Sequence, residues 1–435
     1  MPPSPALPGL SPHSLPQVSA NGSPLAHPLP TGGQLQASLR RLNETLACEL
    51  ANPGQPQPAW SDLEWTLARA VVTMQGVSAL LQRRSAWQGG GGWAAFLEAQ
   101  RCHIERRHRR IESTLVQLHE LARDAKFSMV ALKGAELHAR GIYVPGERPM
   151  ADIDLLVRPV DIPAATALIE SLGYVGYEES WKERVFVPLS GRTSNSLGEN
   201  ADNPIKIELH RHLIERLPWK FTQLPAEVMP TNALPGLNRY FSTSALMLHL
   251  LLHAAGAMPT RGLRLIQLHD IAELSRRMSA VDWSEIIEVQ KTASLWWAFP
   301  PLLLTARYYP SCIPSDVLKV LEVACPGGLR RMARRNLFFD YSHSYLWVEA
   351  FPGIRWCRSL PQMIEYAANR ILPSATVERQ RHRQATSEQY ASRSDWAKRS
   401  QGSRVLQWLT SRPMRPSALH AIQTVFQPPP GDCAD

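Results

Sequence analysis

The sequence predicts an α/β fold, with a mixed sheet core flanked by helices, a C-terminal all-helical domain and disordered termini. Three observations carry this reading. The apolar period switches from helical to strand-like near residue 127 and back near residue 231. Short β-branched and apolar runs alternate with polar residues inside that window. Both ends depart from globular composition, with nine Pro and no Asp, Glu, Lys or Arg in residues 1–30, and a basic, Pro-punctuated final stretch. The 435 residues are 44% hydrophobic and 20% charged, which supplies ample core and excludes disorder throughout.

The elements follow in order. Residues 1–58 read as a Pro-rich disordered tail, although Leu35, Leu39, Leu42 and Leu46 recur at helical spacing and allow a short helix around 34–50. Residues 59–126 form N-terminal helices. Ser61 and Asp62 are N-cap candidates, Glu64 suits the first turn, and Leu63, Leu67, Val71 and Met74 keep the period. After the break at Gln88–Gly92, Ile111, Leu115, Leu118 and Leu121 mark a helix over 93–126. Residues 127–230 form the α/β core, with strands over 127–132, 151–157, 185–187 and 205–210, a helix over 162–172, and a polar insertion over 188–204 that reads as a mobile loop. Residues 231–373 are a helical domain, and 374–435 a basic, largely disordered tail with a weak helix at 405–409.

Several function classes are excluded. The longest apolar stretch, 242–258, is too short to cross a bilayer and carries His249 and His253. No secretory signal is visible, and the six Cys are dispersed without a CxxC pair, which argues against a zinc ribbon or a disulfide framework and suits a cytoplasmic protein. The net charge of +9 is localised: residues 101–110 carry +4 and residues 370–415 carry +7, leaving the remainder at −2. Such patches either meet phosphates or are solvated surface.

The chemistry concentrates in Leu132-Lys133-Gly134, Arg148-Pro-Met-Ala-Asp152-Ile-Asp154-Leu-Leu-Val157 and Ile205-Lys-Ile-Glu208-Leu-His210. Residues two apart on a strand point the same way, so Asp152 and Asp154 share one face while Ile153 and Leu155 enter the core. Glu208, on a nearby strand, is the candidate third carboxylate. Carboxylates at ~4 Å in an effective dielectric of ~20 repel by about 4 kcal/mol per pair, so the group calls for a cation. Oxygen ligands select Mg²⁺ or Mn²⁺, and two such ions can serve an attacking and a leaving oxygen. The Gly134 turn lets backbone N–H groups approach phosphate, and Lys133 adds a charge there. Arg148 either clamps a phosphate or pairs with Asp152 or Asp154. His210, on the face of Glu208, either helps to orient an acceptor or is bonded into the sheet edge. Tyr143 either stacks on a base or packs on the core.

This set of motifs resembles the nucleotidyltransferase superfamily typified by DNA polymerase beta and the aminoglycoside nucleotidyltransferases, and more closely the bacterial "uncharacterised nucleotidyltransferase" family. The matching residues are Lys133-Gly134, Tyr143, Arg148, Asp152-Ile-Asp154-Leu-Leu-Val157 and Glu208-Leu-His210, with Leu248–His253, Arg264–Asp270 and Val281-Asp-Trp283 downstream. The resemblance implies metal-dependent transfer of an NMP from an NTP to an acceptor, with pyrophosphate released. Asp152, Asp154 and Glu208 would be catalytic and metal-binding, and Lys133, Gly134 and Arg148 nucleotide-binding. The chain departs from the superfamily's Gly-Ser or Gly-Gly turn by carrying Gly134-Ala135, which leaves the phosphates to backbone groups and Lys133. The acceptor, whether small molecule, protein or RNA, is not legible; the Arg101–Arg110 cluster and the basic tail lean towards RNA. Two other readings stand beside this one: an inactive nucleotide-binding module of the same fold, and a phosphohydrolase built on His249, His253, His269-Asp270 and Asp282.

Overall fold

The computed structural model describes residues 30–190, 197–218, 220–373, 400–411 and 413–426. Its centre is a six-stranded mixed sheet. Strands β1 (Ser128–Ala131) and β2 (Asp152–Val157) pair antiparallel, and β2 runs parallel to β5 (Lys206–His210). Beyond β5 lie β4 (Glu183–Pro188) and β3 (Tyr174–Glu179), each antiparallel to its neighbour, and β8 (Gly236–Asn238) closes the other edge parallel to β1. A separate hairpin joins β6 (Ile214–Leu217) to β7 (Lys220–Gln223). The strands β3, β6, β7 and β8 escape sequence reading because they are short and carry no sustained alternation.

Alternation along β2 divides the two faces as expected. Ile153, Leu155 and Val157 join Ile207 and Leu209 of β5 in a small core roofed by α4 (Trp93–Asp124) and α6 (Ile162–Ser171), through Ile111, Leu118, Leu168 and Ile169. The opposite face, bearing Asp152 and Asp154, looks towards the larger helical core, against which Leu156 packs. That core is built from α2 (Asp62–Gln75), α3 (Ser78–Arg84), α7 (Thr243–Ala257), α8 (Leu265–Ser275), α9 (Ala280–Thr292) and α10 (Phe299–Tyr308), joined by Val317 and Leu321 of α11 (Ser315–Ala324) and Leu329 and Met332 of α12 (Gly327–Arg335), with α13 (Leu360–Ile371) outside it. Ser61 caps α2 in a reciprocal box with Glu64, as its sequence predicts. No helix among the described residues is long and apolar enough to cross a membrane.

Both tails require correction where they are described. The segment over 34–50 is not an isolated helix in a tail. It is α1 (Gly32–Ala51), capped by Thr31, and Leu35, Leu39, Leu42 and Leu46 are fully buried in the large core. Its polar side chains bind residues far along the chain. Arg40 pairs with Asp340 at 2.8 Å, Glu44 accepts from the Phe339 N–H at 2.9 Å, and Asn43 Oδ1 accepts from Ser342 and Ser344 at 3.2 and 2.9 Å. At the other end α14 (Gln401–Thr410) and α15 (Pro416–Val425) form, and Ala418 and Ile422 of α15 are buried. Apolar spacing on those two helices outweighs the basic composition. Residues 1–29 and 374–399 lie outside the described residues. The polar insertion is also tied down where described: Gln100 of α4 donates to the carbonyls of Leu197 and Glu199, and Arg110 to that of Ala201.

Candidate functional site

Parallel pairing of β2 with β5 sets Asp152 opposite Lys206, Asp154 opposite Glu208 and Leu156 opposite His210. The antiparallel β4 then places Glu183 opposite His210. Asp154, Glu208 and His210 each present a ligand atom within 4.8 Å of the others. Lys133 Nζ donates to Asp154 Oδ1 at 2.8 Å, and His210 Nε2 meets the same oxygen at 3.0 Å. His210 Nδ1 lies 3.7 Å from Glu183 Oε2, and both atoms are buried without a hydrogen-bond partner among the described residues.

These carboxylates do not share one protonation state. Burial and the neighbouring Asp152, Asp154 and Glu183 push the Glu208 carboxyl up to about 9. Burial also raises Asp152, with the Asp154 charge adding to it. For Asp154 burial acts upward too, yet Lys133 and His210 outweigh it and hold the carboxyl well below its usual range. Burial and mutual repulsion thus disfavour full ionisation of the cluster when no cation offsets its charge.

The carboxylates open into a cavity of about 300 Å³ lined also by Lys133, Gly134, Arg148, Lys182, His253, Arg264 and Asp270. Lys133 lies at the junction of β1 and α5 (Gly134–Ala139), in a backbone conformation with φ +47° that non-glycine residues rarely adopt. Its N–H donates to Tyr240 Oη at 3.3 Å, and Tyr240 in turn bonds His249 Nδ1 at 2.7 Å. Such strain persists only when its surroundings hold it, and here a buried tyrosine and histidine do so. Gly134 has a steric reason as well: a Cβ there would stand 2.3 Å from Arg148 Nη1. The guanidinium thus occupies the space beside the turn.

Arg148 pairs with neither Asp152 nor Asp154. It forms a two-pronged pair with Asp270 of α8, Nε to Oδ1 at 2.9 Å and Nη2 to Oδ2 at 2.7 Å. Tyr143 is buried and donates to the same carboxylate at 2.9 Å, which places it in the core rather than on a ligand. The histidines and acids of the helical half do not converge. His249 bonds Tyr240, His253 bonds Glu215 at 3.1 Å, His269 bonds Tyr309 at 3.0 Å, and Asp270 holds Arg148. Asp282 is the third helical residue of α9, in a capping box with Ser279. The phosphohydrolase reading loses its ligand set on these partners.

Part of the Arg101–Arg110 cluster is engaged within the protein, while Arg106, Arg109 and Arg110 stay exposed. Arg101 and Arg109 pair with Glu98 and Glu105, and Arg107 is buried. Arg107 donates to the carbonyls of Met150, Ala151, Asn203 and Pro204 at 2.8, 2.6, 2.8 and 3.1 Å. It thereby pins the two segments that lead into β2 and β5, and so the spacing of the carboxylates those strands carry. Nothing in a run of helical arginines distinguishes this one. Glu183 and Tyr240 also escape sequence reading, because pairing and packing, not local pattern, bring them to the site, while Arg264 is visible only as the first residue of the Arg264–Asp270 motif, with no role attached.

Comparison with known proteins adds one match. A family model described as an uncharacterised nucleotidyltransferase matches residues 61–310. No curated protein and no solved structure matches the chain. The matched stretch contains the whole sheet, the cavity and its carboxylates, and it spans more than half of the sequence. On that match, the chain belongs to the uncharacterised nucleotidyltransferase family.

Proposed function

We propose that the chain transfers a nucleoside monophosphate from an NTP to an acceptor hydroxyl or phosphate and releases pyrophosphate. One observation carries the reading beyond family membership: Asp152, Asp154 and Glu208 share one sheet face and together line the cavity. The donor set fits Mg²⁺ or Mn²⁺, being oxygen-rich and carrying more negative charge than the site tolerates alone. Asp152, Asp154 and Glu208 would hold two such ions, which when bound neutralise phosphate charge and lower the pKa of a coordinated acceptor oxygen.

The chain's own groups do the rest. The acceptor oxygen forms a bond to the α-phosphorus while the bond from that phosphorus to the bridging oxygen breaks, and the electron pair leaves with pyrophosphate. Glu208, once ionised, is the group placed to take the acceptor's proton. His210 fixes the Asp154 carboxylate through Nε2 and so orients it. Lys133, within the cavity, offers its ammonium to the phosphates in exchange for part of its contact with Asp154. The wall from α7 shapes the acceptor side. Arg101 and Arg107 of α4 are bonded internally, and the acceptor is a small molecule, a protein or an RNA end.

The test is label transfer. Wild type and the Asp152→Ala/Asp154→Ala variant are incubated with Mg²⁺ or Mn²⁺, each NTP in α- and γ-labelled form, and pools of metabolites, RNA and protein. Transfer of the α label by wild type alone supports the reading, and transfer of only the γ label would make the protein a kinase. Tight NTP binding without transfer would favour an inactive module, the reading suited by Ala135 in the turn and by the Lys133–Asp154 pair.

A further inference from the structure

We propose that Arg264, at the entry to α8, is the receptor for the polyphosphate end of the nucleotide. The proposal deepens the nucleotidyl-transfer reading and rests on it for the identity of the ligand.

The argument begins with the cations that line the cavity. Lys133 pairs with Asp154 at 2.8 Å, Arg148 with Asp270 at 2.7 Å and Lys182 with Glu215 at 2.9 Å. Each therefore arrives already matched by a carboxylate. Arg264 lines the same cavity and forms no ion pair among the described residues. Its partners are main-chain carbonyls at the end of α2: Nε donates to Met74 at 2.9 Å and Nη2 reaches Thr73 at 3.5 Å. Carbonyls at a helix C-terminus carry roughly half an electron charge in total, which favours a cation without neutralising it.

This arrangement is built rather than incidental. Gly76 ends α2 with φ +67°, and a Cβ there would lie 3.1 Å from Arg264 Nη2, so the glycine makes room for the guanidinium. The Arg264 N–H donates to Gln267 Oε1 at 2.8 Å, fixing the backbone from which the side chain departs. A guanidinium has five N–H donors, and the two carbonyl bonds leave others free. Burial of the group pushes its pKa down, so its charge is held at a cost. An anion of high charge density relieves that cost, and a polyphosphate offers planar pairs of oxygens that match the guanidinium fork. The carboxylates of β2 and β5 line the same cavity and mark where the α-phosphate must react. Arg264 thus supplies the cation that Lys133 and Arg148, held by their own carboxylates, supply only in part.

The experiment is equilibrium binding of the full chain, in Mg²⁺, to α-labelled NTP, to the matching NMP and to inorganic tripolyphosphate. Wild type is compared with R264Q and R264K, and each variant's thermal midpoint is recorded. Loss of a charge-assisted contact weakens binding by roughly tenfold to a hundredfold. R264Q is expected to lose that much affinity for NTP and tripolyphosphate and to bind NMP as wild type does. R264K keeps the charge without the fork and falls between. A purely structural cap on α2 would lower the thermal midpoint and move all three ligands together, which overturns the proposal. Should R264Q not fold, R264K decides: tripolyphosphate affinity equal to wild type overturns it. Wild type that binds neither NTP nor tripolyphosphate overturns it as well. Arg264-dependent tripolyphosphate binding without α-label transfer would sink the transfer reading and leave this site standing. Label transfer with R264Q binding NTP as tightly as wild type would do the reverse.

Discussion

Replacing Asp270 with alanine tests whether the helical half serves the cavity as a wall or as a catalyst. Asp270 is 2% exposed and its partner Arg148 only 12% exposed. Removing the carboxylate strands a buried guanidinium and leaves the Tyr143 hydroxyl without its acceptor. Breaking a buried ion pair from one side costs about 3–5 kcal/mol, because the surviving charge is left without compensation. The tyrosine's lost bond falls within that figure, since the groups share one carboxylate and their effects do not add. The assay is urea denaturation of wild type, D270A, R148M and the double variant. Each single variant should lose about 3–5 kcal/mol, and the double should lose less than their sum by on the order of 2–3 kcal/mol. D270A within about 0.5 kcal/mol of wild type would refute the reasoning, since that is the range of an indifferent surface change.

Three further outcomes are expected. In chelator, the folded protein holds a proton on Glu208 up to about pH 9 that the unfolded chain releases near the ordinary carboxylate range. Stability should therefore fall as pH rises through that window, by up to about 1.4 kcal/mol per pH unit, and Mg²⁺ or Mn²⁺ should flatten the slope. Urea midpoints measured across it, with and without the cation, check this, and a flat profile in chelator contradicts it. Asp154 acts in the opposite sense, its contribution present above the ordinary carboxylate range and lost only well into acid. Arg107→Met leaves four carbonyls, one of them in a fully buried bond, without their donor and should cost about 1–3 kcal/mol, with NTP binding weakened as β2 and β5 lose their anchor. Leu42→Ala should cost about 2–5 kcal/mol by denaturation, as in a core, whereas a disordered tail would register no change.

What the sequence made legible was local. Alternation in Asp152–Val157 and Ile205–His210 placed the carboxylates on one face, and helical spacing found α2, α4 and most of the helical half. What it hid was partnership across the chain. Arg148 is as close in sequence to Asp152 as an argument from spacing could ask, yet its carboxylate is Asp270, 122 residues on. The leucines of α1 were visible at their period, but their burial depends on surfaces assembled from residues beyond 300, which no local pattern announces. The arginines of α4 read as a charged patch because their acceptors, chiefly backbone carbonyls of the strand approaches, have no sequence signature at all. Register was the step that turned a list of acids into a cluster, and only pairing of β5 with β2 and β4 supplied it.

The seal between α1 and residues 338–346 has a consequence for how the chain is made. Arg40 and its partner Asp340 stand 300 positions apart. At ribosomal rates of roughly 5–20 residues per second, a leucine face made early waits on the order of 15–60 s for its last partners to emerge. During that interval the nascent chain presents an unsealed apolar helix, the kind of surface that holding chaperones bind and that neighbouring chains can capture. The protein is therefore committed to completing synthesis before it can close, and a messenger cut short before codon 340 would yield a chain whose first helix packs on α2 but lacks its partners at 338–346.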